Sequence, residues 1–562
     1  MDAYYDLGNY SSPITTSDPQ AQLWFDRGLI WTYGYNHEEA AVCFRRALEH
    51  DPDCAMAHWG LAYATGPNYN MPWELFDDAG RAEALATAHD AAQAALARLD
   101  GVTPAEAALI RALPARYPQR QLAEDMHRWD YDFADAMRAA FAEVPDHLDL
   151  RTVYAESLLN LTPWQMWDLK SGQPAEGAAT LEAQQVLEQA METSPGAMGH
   201  PGLLHLYVHL MEMSPTPEKA LKAADVLRTL VPDAGHLVHM PTHIDVLCGQ
   251  YRDVVYWNQK AVEADLKYFR REGAFNIYTG YRQHDYHFVI YGALFLGQMQ
   301  PALEANRGIW ETTPEEMLRI ESPPMADYFE SFMAMEPHIL IRFGRWEECK
   351  KLELPDDPEL YRTLCATVHY ARGLGYAATG EVAQAEAEEQ RFLAAKARVP
   401  DTRLMHNNKV VDLLEIATEM LRGEIEYRKA NYDAAFFHLR RAVELDDNLP
   451  YDEPWGWMQP ARHALGALLL EQGRVSEAEA VYREDLGLGG QLARATVNPD
   501  NVWSLKGLYD CLKERGERVE SVVIKQKLDI AQARADGVMA SCGCAQVAIE
   551  AVAKEAACCG GA

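Results

Sequence analysis

Eight of the 19 histidines of this 562-residue chain lie between residues 200 and 287. They occur in three short segments, which read GHPGLLHLYVHLME, GHLVHMPTH and HDYH. Neutral imidazole is a ligand for zinc, copper, iron and nickel, and helical bundles build metal sites by repeating such ligands on facing helices. The local excess of histidine therefore predicts a metal site.

The first segment predicts a helix with two imidazoles and one carboxylate on the same face. His205 and His209 are four residues apart, and Glu212 is seven residues after His205. Positions three, four and seven apart share a helical face. We predict His205 and His209 as metal ligands, and Glu212 as the candidate catalytic residue, acting as a general base or as a further ligand.

The other two segments extend the predicted ligand set. His236, His239 and His243 have the spacing of one helical face, although Pro241 should start or kink the helix there. The predicted metal ligands are His205, His209, His236, His239, His243, His284 and His287. These seven exceed the three or four ligands of a single ion, which indicates either a dinuclear centre or one ion whose additional histidines act on the substrate or hold the ligands in place.

The cysteines bear on the identity of the metal. Cys542 and Cys544 form a C-x-C motif, and Cys558 and Cys559 are adjacent, in a tail rich in small residues. Such thiols can ligate soft Cu(I) or zinc, but they also fit a flexible end without a role. If the tail folds back over the histidines, copper is the favoured metal, with iron and zinc as the alternatives.

The elements that must position these residues are predicted to be helix hairpins. The stretch WFDRGLIWTYGYNHEEAAVCFRRALEHDPDCAMAHWGLAYA contains one helix over about 21–34 and a second over about 37–50. Gly28, Ala40 and Ala47 fall where paired helices approach closely. Similar segments recur at YDAAFFHLRRAVELDD and HALGALLLEQGRVSEAEAVYREDL. This pattern resembles the tetratricopeptide repeat.

That resemblance implies an all-α fold in which antiparallel helix pairs stack into a right-handed solenoid, interrupted by irregular loops. The sequence leaves open whether this superhelix is open or closed. The combination of GPNYNMPW, LTPWQMWD, HPGLLHLYVHLMEMSP, PDAGHLVHMPTHI, HDYHF and SCGC is also similar to a group of fungal and bacterial tetratricopeptide-domain proteins. This second resemblance implies a fold but no reaction.

Five segments follow from these patterns. They are an N-terminal extension (1–20), N-terminal helical repeats (21–200), a His-rich core of the same type (201–310), C-terminal helical repeats (311–535) and a tail rich in Cys, Ala and Gly (536–562). Long loops interrupt the repeats and carry Trp73, Trp164 and Trp167, which we predict as walls of a pocket.

The composition excludes several classes of partner. The formal net charge is −33, which repels phosphate backbones and anionic lipids and argues against nucleic-acid and membrane binding. The sequence shows no secretory signal and no apolar run of the roughly 18 residues that a membrane helix needs. A cytoplasmic protein is expected, and nothing in the sequence indicates its oligomeric state.

Three functions fit these observations. The first is a metalloenzyme that oxidises a small molecule or, less in keeping with the residues, hydrolyses one. The second is a non-catalytic repeat scaffold that binds a peptide or protein partner. The third is a protein that stores or delivers metal with the same histidines and the cysteine tail. The chain contains neither HExxH nor a G-x-S-x-G motif, so the corresponding zinc-protease and serine-hydrolase sites are not expected.

Overall fold

The computed structural model describes residues 4–537 and 540–545. Within these residues the fold is helical, and its only strands are a short antiparallel pair, β1 (Leu404–Met405) and β2 (Asn408–Lys409). The prediction of an all-α fold is confirmed. None of the helices in the described residues is long and apolar enough to cross a membrane.

The chain forms two compact units. Unit 1 comprises Met1–Ile244 and Lys260–Arg282, and unit 2 comprises Asp245–Gln259 and Gln283–Ala562. The boundaries fall inside the segment 201–310, which the sequence predicts as one His-rich core. The five predicted segments therefore stay a prediction, and the two units are described separately below.

Unit 1 is built mainly from eleven α-helices. They are α1 (Pro19–Tyr33), α2 (His37–His50), α3 (Ala55–Thr65), α4 (Asp78–Leu96), α5 (Pro104–Ala112), α6 (His127–Glu143), α7 (Leu148–Leu159), α8 (Thr180–Thr193), α9 (Pro201–Glu212), α10 (Leu221–Leu227) and α11 (Gly235–His239). Short 3-10 helices lie at Trp73–Leu75, Leu113–Ala115, Ala197–Gly199 and Pro217–Ala220. Three further helices contribute residues to both units: α12 (Pro241–Leu247), α13 (Tyr251–Glu272) and α14 (Tyr278–Leu296).

Unit 2 continues the helical pattern. Its own helices are α15 (Met299–Thr312), α16 (Glu315–Leu318), α17 (Met325–Phe329), α18 (Met335–Arg342), α19 (Trp346–Cys349), α20 (Arg362–Ala378), α21 (Val382–Lys396), α22 (Val410–Arg428), α23 (Tyr432–Asp447), α24 (Ala461–Glu471), α25 (Val475–Asp485), α26 (Val502–Glu514) and α27 (Val519–Gln532). The 3-10 helices of this unit are Glu330–Ala334, Arg494–Thr496 and Gly543–Ala545. The β1–β2 pair is inserted between α21 and α22.

Aromatic side chains fill the hairpins where the neighbouring helix carries glycine. Phe44 of α2 packs against Gly28 of α1, where a Cβ atom would lie 2.7 Å from the ring, and it also covers Gly60 of α3. In unit 2, Tyr482 of α25 packs in the same way against Gly466 of α24, again at 2.7 Å. The small residues that the sequence places at close helix approaches therefore do allow close packing.

The turn between α1 and α2 is held in an unusual backbone conformation. Tyr35 has a φ of 54°, in the left-handed region that non-glycine residues rarely occupy, at a cost of order 1–3 kcal/mol. Asn36 follows as the N-cap of α2, and its side chain accepts a hydrogen bond from the Glu39 N–H at 3.2 Å. The turn thereby fixes the Tyr33 carbonyl and the Tyr35 ring, which both face the candidate site.

A buried carboxylate ties the N-terminal extension to unit 1. Asp149 of α7 accepts hydrogen bonds from the hydroxyls of Tyr10, Ser12 and Tyr33, each at 2.6 Å. These bonds, with the imidazole of His200 at 3.2 Å, lower the pKa of Asp149 against the opposing effect of its burial. The extension is thus anchored to the same α1 that contributes to the site.

Candidate metal centre

The helix α9 carries the first group of predicted site residues. Proline occupies its first position, and the imidazole of His200 accepts a hydrogen bond from the Leu203 N–H at 3.1 Å. All residues of α9 are buried, as is typical of a helix whose own leucine, valine and methionine side chains lie on every face. Polar side chains on such a helix must find partners inside the protein.

The second group is divided between two helices. His236 and His239 lie on α11, and His243 lies on α12, which begins at Pro241 as the sequence predicts. The Thr242 hydroxyl donates to the His239 carbonyl at 2.7 Å, which satisfies an acceptor at the end of α11. The three histidines therefore do not share one continuous helical face.

Three imidazoles converge in unit 1, and we call His205, His209 and His236 the tri-histidine cluster. One ring nitrogen from each lies within 4.8 Å of those of the other two. The His205 ring centroid is 4.7 Å from that of His209 and 4.9 Å from that of His236. Two nitrogens that bind one zinc ion at 2.0–2.1 Å are at most roughly 4.2 Å apart, so small side-chain shifts suffice to bring all three onto one ion.

Two imidazoles of the cluster have one nitrogen fixed by an acceptor. His205 Nδ1 donates to the Tyr33 carbonyl at 2.7 Å, and His209 Nδ1 donates to Glu212 Oε1 at 2.9 Å. The Nε2 atoms of these two residues, and both nitrogens of His236, are buried without a hydrogen-bond partner within the described part of the chain. Metal-binding imidazoles are typically held in this way, with the second nitrogen on a carbonyl or carboxylate.

Glu212 links the tri-histidine cluster to a second pair of imidazoles. Its Oε2 accepts from His243 Nδ1 at 2.6 Å, and His243 Nε2 lies 2.7 Å from His239 Nε2. Glu212 is completely buried, which raises its pKa, while the two N–H donors favour the carboxylate. Because each oxygen holds one imidazole, this geometry makes Glu212 a positioning group. Its role as a general base or ligand stays a prediction.

Burial keeps the imidazoles of the cluster neutral. It lowers the pKa of His209 to about 3 and lowers the pKa values of His205 and His236 well below the usual value. Neighbouring imidazoles add to the lowering of the pKa at His205 and His236, because two cations would repel each other there. The neutral ring offers the lone pair that binds a metal.

Tyrosines surround the cluster. The Tyr281 ring lies 4.4 Å from the His236 ring. The sequence gives no reason to connect Tyr35 or Tyr69 with the histidines. Yet the Tyr35 ring lies 4.6 Å from that of His205, and the Tyr69 ring lies 4.6 Å from that of His209. Both come from residues far away in the chain, so no local spacing could have revealed them.

The three predicted pocket tryptophans occupy different environments. Trp164 packs on Tyr69 with ring centroids 5.3 Å apart, so it is separated from the cluster by one side chain. Trp73 is buried beside Phe76, and Trp167 donates its indole N–H to a main-chain carbonyl of α9 at 2.7 Å. Trp73 and Trp167 therefore have the environment of core residues.

The remaining two predicted ligands belong to unit 2. His284 and His287 are on the part of α14 assigned to that unit. His284 Nδ1 lies 3.3 Å from His406 Nε2, and the His287 and His406 rings are stacked with centroids 5.6 Å apart. The sequence did not identify His406, which lies more than a hundred residues further along the chain.

The cysteine tail is only partly described. Cys542 and Cys544 are free thiols of unit 2, where Cys544 belongs to a hydrophobic cluster formed with α23 to α27 and Cys542 packs against it. Cys558 and Cys559 lie outside the described residues. The eight described cysteines are all free thiols.

Comparisons with known proteins find only distant structural similarity. No known family model matches the chain, and no curated protein matches it. It is similar to a chain of the APC/C hetero-tetramer Cut9–Hcn1, with 13% identity, coverage of 88% of this chain and 76% of that chain, and a TM-score of 0.29. It is similar to yeast Tom70 with 11% identity, coverage of 91% of this chain and 99% of that chain, and a TM-score of 0.25. It is also similar to a chain of the Naa15/Naa10 complex with HypK-THB, with 13% identity, coverage of 91% of this chain and 70% of that chain, and a TM-score of 0.20. TM-scores this low carry no inference about fold or function.

Proposed function

We propose that this helical-repeat protein binds a transition-metal ion through His205, His209 and His236 and uses it to transform a small molecule. The observation that carries the proposal is the set of buried imidazole nitrogens in the tri-histidine cluster without hydrogen-bond partners. Each such nitrogen costs about 1–3 kcal/mol when it is left unsatisfied in the interior. A bound cation would satisfy all three rings at once.

The ligand set indicates which ions fit. Three neutral imidazoles suit copper, iron and zinc, and among divalent ions copper binds nitrogen ligands most tightly. Copper is therefore our first choice, and iron and zinc are the alternatives. A three-histidine set also leaves a coordination position for water or substrate, as catalytic metal sites do.

The surroundings of the cluster favour a small substrate and oxidative chemistry. The ligands are entirely buried, so a macromolecular substrate could not reach them without large rearrangement. Tyr35, Tyr69 and Tyr281 lie against the cluster and are able to donate a proton or an electron, and the buried hydroxyl of Tyr35 has no hydrogen-bond partner among the residues described. In this proposal Glu212 holds His209 and His243 in fixed tautomers.

Metal analysis tests the proposal. Untagged protein should contain one or two equivalents of copper, iron or zinc per chain by plasma mass spectrometry, and His236→Ala should lose at least one of them. The matched control is His369→Gln, because His369 is a buried histidine of unit 2 whose Nδ1 is 2.7 Å from Glu388. Absence of metal from the wild-type protein, even after reconstitution, would overturn the proposal.

A scaffold that binds a protein partner is the second candidate, and one observation favours it. The helix α27 exposes large apolar side chains to solvent: Val519, Val522, Val523 and Ile530. Exposed apolar surface of this kind marks binding sites in helical repeat proteins. A metal storage or delivery role is the third candidate, and it would require several equivalents of metal per chain.

These candidates separate in one experiment. A scaffold function predicts that Val522→Asp/Val523→Asp abolishes capture of a partner, whereas His236→Ala retains it. The metalloenzyme function predicts that His236→Ala loses turnover of a candidate substrate while the double valine variant retains it.

A further inference from the structure

Unit 2 contains a second group of histidines, one of which contacts a methionine sulfur. His287 of α14 is completely buried, and its Nε2 lies 2.9 Å from Met458 Sδ. This separation is shorter than a van der Waals contact between nitrogen and sulfur. A thioether is a weak hydrogen-bond acceptor, so it compensates poorly for the burial of an imidazole N–H. His287 Nδ1 has no hydrogen-bond partner in the described residues.

A strained turn brings a further imidazole to this place. His406 sits at the turn of the β1–β2 pair with a φ of 46°, in the left-handed region. Its ring lies 5.6 Å from the His287 ring and 5.1 Å from that of Phe332. Strained residues of this kind persist where the surrounding structure enforces them, and they cluster at functional sites.

Hydrogen bonds fix the turn to the segment that carries Met458. The Asn408 side chain donates to Asp452 Oδ2 at 2.8 Å, and the Asn407 side chain donates to the Tyr451 carbonyl at 3.2 Å. The relative positions of His406 and Met458 are therefore determined by unit 2 itself. Such preorganisation is what a binding site requires.

Further soft ligands line an adjoining cavity. Met335, Met405 and Met458 all contribute to its walls, together with His338. His338 Nδ1 is buried and has no hydrogen-bond partner in the described part of the chain. Three methionines and one histidine therefore line one small space, and these residue types differ in kind from the all-imidazole cluster of unit 1.

We propose that His287 and Met458 form the core of a second metal site, specific for a soft monovalent ion such as Cu(I), with His406, His338 and Met405 as neighbouring donors. Thioether ligands select Cu(I) over harder ions, and imidazole also binds it. All these ligands are neutral, so binding adds one positive charge and needs no oxidant, reductant or proton transfer. The site is independent of the tri-histidine cluster and of the proposed function.

Cu(I) titration with X-ray absorption tests this inference. The parent protein is the full chain with Cys542, Cys544, Cys558 and Cys559 replaced by serine, so that the tail cannot supply sulfur ligands. We expect the parent to bind Cu(I) in competition with bathocuproine disulfonate under anaerobic conditions. The copper spectrum should show sulfur as well as nitrogen neighbours.

Variants distinguish this site from the proposed centre in unit 1. Met458→Leu conserves volume and should retain the fold, yet it should lose the sulfur signal and weaken Cu(I) binding at least tenfold. Met137→Leu is the matched control, because Met137 is equally buried but belongs to unit 1. His236→Ala should keep the sulfur-coordinated copper, which separates failure of this inference from failure of the proposed function.

Two results would overturn the inference. One is a parent protein whose bound Cu(I) has no sulfur neighbour. The other is a folded Met458→Leu protein that retains both the sulfur signal and the parental affinity. Circular dichroism and thermal unfolding verify the fold of each variant.

Discussion

His463, a buried histidine of unit 2, and the tri-histidine cluster of unit 1 differ in how completely their ring nitrogens are satisfied. In unit 2, Arg342 Nη1 donates to His463 Nδ1 at 2.9 Å, and His463 Nε2 donates to Asp485 Oδ2 at 2.8 Å. Both ring nitrogens of His463 therefore have protein partners. In the tri-histidine cluster of unit 1, every imidazole has at least one nitrogen without a hydrogen-bond partner within the described residues.

This difference separates a structural histidine from a candidate ligand. Both environments are buried and lower the pKa of the imidazole, so burial and pKa alone do not distinguish them. The distinguishing property is the number of nitrogens left over after the protein's own hydrogen bonds are formed. A fold tolerates one satisfied buried histidine readily, whereas three adjacent imidazoles with unsatisfied nitrogens are the arrangement that we propose a metal ion completes.

The largest expected effect on stability comes from replacing Asp485, the carboxylate partner of His463. Asp485→Asn replaces a carboxylate that accepts from His463, from the Ser504 hydroxyl at 2.6 Å and from the Asn501 side chain at 2.8 Å. We expect a loss of about 3–5 kcal/mol in the free energy of unfolding, measured by urea denaturation with chelator present. Metal content should not change. Asp529→Asn, on the exposed face of α27, is the control and should change stability by less than about 1 kcal/mol.

The next prediction compares the removal of His236 from the tri-histidine cluster with the removal of His463. In chelator, His236→Leu should be neutral or stabilising, because it removes a buried polar ring without partners, whereas His463→Leu should destabilise. With free metal at a hundred times its Kd, the wild-type protein should gain about 2.7 kcal/mol, and His236→Leu should gain much less. Thermal unfolding with and without metal measures both effects. Equal destabilisation by the two substitutions in chelator would contradict the claim that His463 is satisfied by the protein and His236 is not.

The carboxylate that positions the cluster should have a smaller effect. Glu212→Gln keeps the shape of the side chain but cannot accept N–H donors at both ends. Metal affinity should fall about 10- to 100-fold while the stoichiometry is retained, as chelator competition would show. Glu188→Gln removes a carboxylate that accepts from Tyr207, which lies on α9 with His205 and His209, and it should leave the affinity unchanged. An unaltered affinity in Glu212→Gln would contradict the positioning role.

The smallest effect concerns the pH dependence of the metal-free protein. His209 has a pKa of about 3 in the folded state and near its usual 6.5 when unfolded. Between these two pH values the unfolded chain therefore binds more protons than the folded protein. The free energy of unfolding is consequently highest above about pH 6.5 and falls as the pH drops toward 3. Each such histidine contributes a slope of about 1.4 kcal/mol per pH unit in this window. His236→Leu should reduce the slope, and a slope equal to wild type would show that His236 is not held neutral.

Part of the site is predictable from local spacing. The helical face shared by His205, His209 and Glu212 follows from the spacing of one short segment, and that segment does form α9. The start of a helix at Pro241 is likewise fixed by a local property, the absence of an N–H donor. The all-α fold follows from the same kind of evidence, because glycine and aromatic residues at hairpin positions are read directly from the chain.

What the sequence could not supply are contacts between distant segments. The Tyr33 carbonyl that fixes His205, and the Tyr35 ring beside it, come from a turn far upstream of α9. The placement of His284 and His287 in unit 2 beside His406 likewise depends on how segments far apart in the chain pack. Residue spacing identifies potential ligands, and tertiary packing decides which of them share one ion.

The most direct test of the central claim is anomalous diffraction from crystals of metal-loaded protein, collected at the absorption edge of the bound metal. We predict a peak at about 2.0–2.1 Å from ring nitrogens of His205, His209 and His236, with Tyr33 and Glu212 still holding the Nδ1 atoms of the first two. A map without a peak at these rings, with metal bound only elsewhere, would contradict the account.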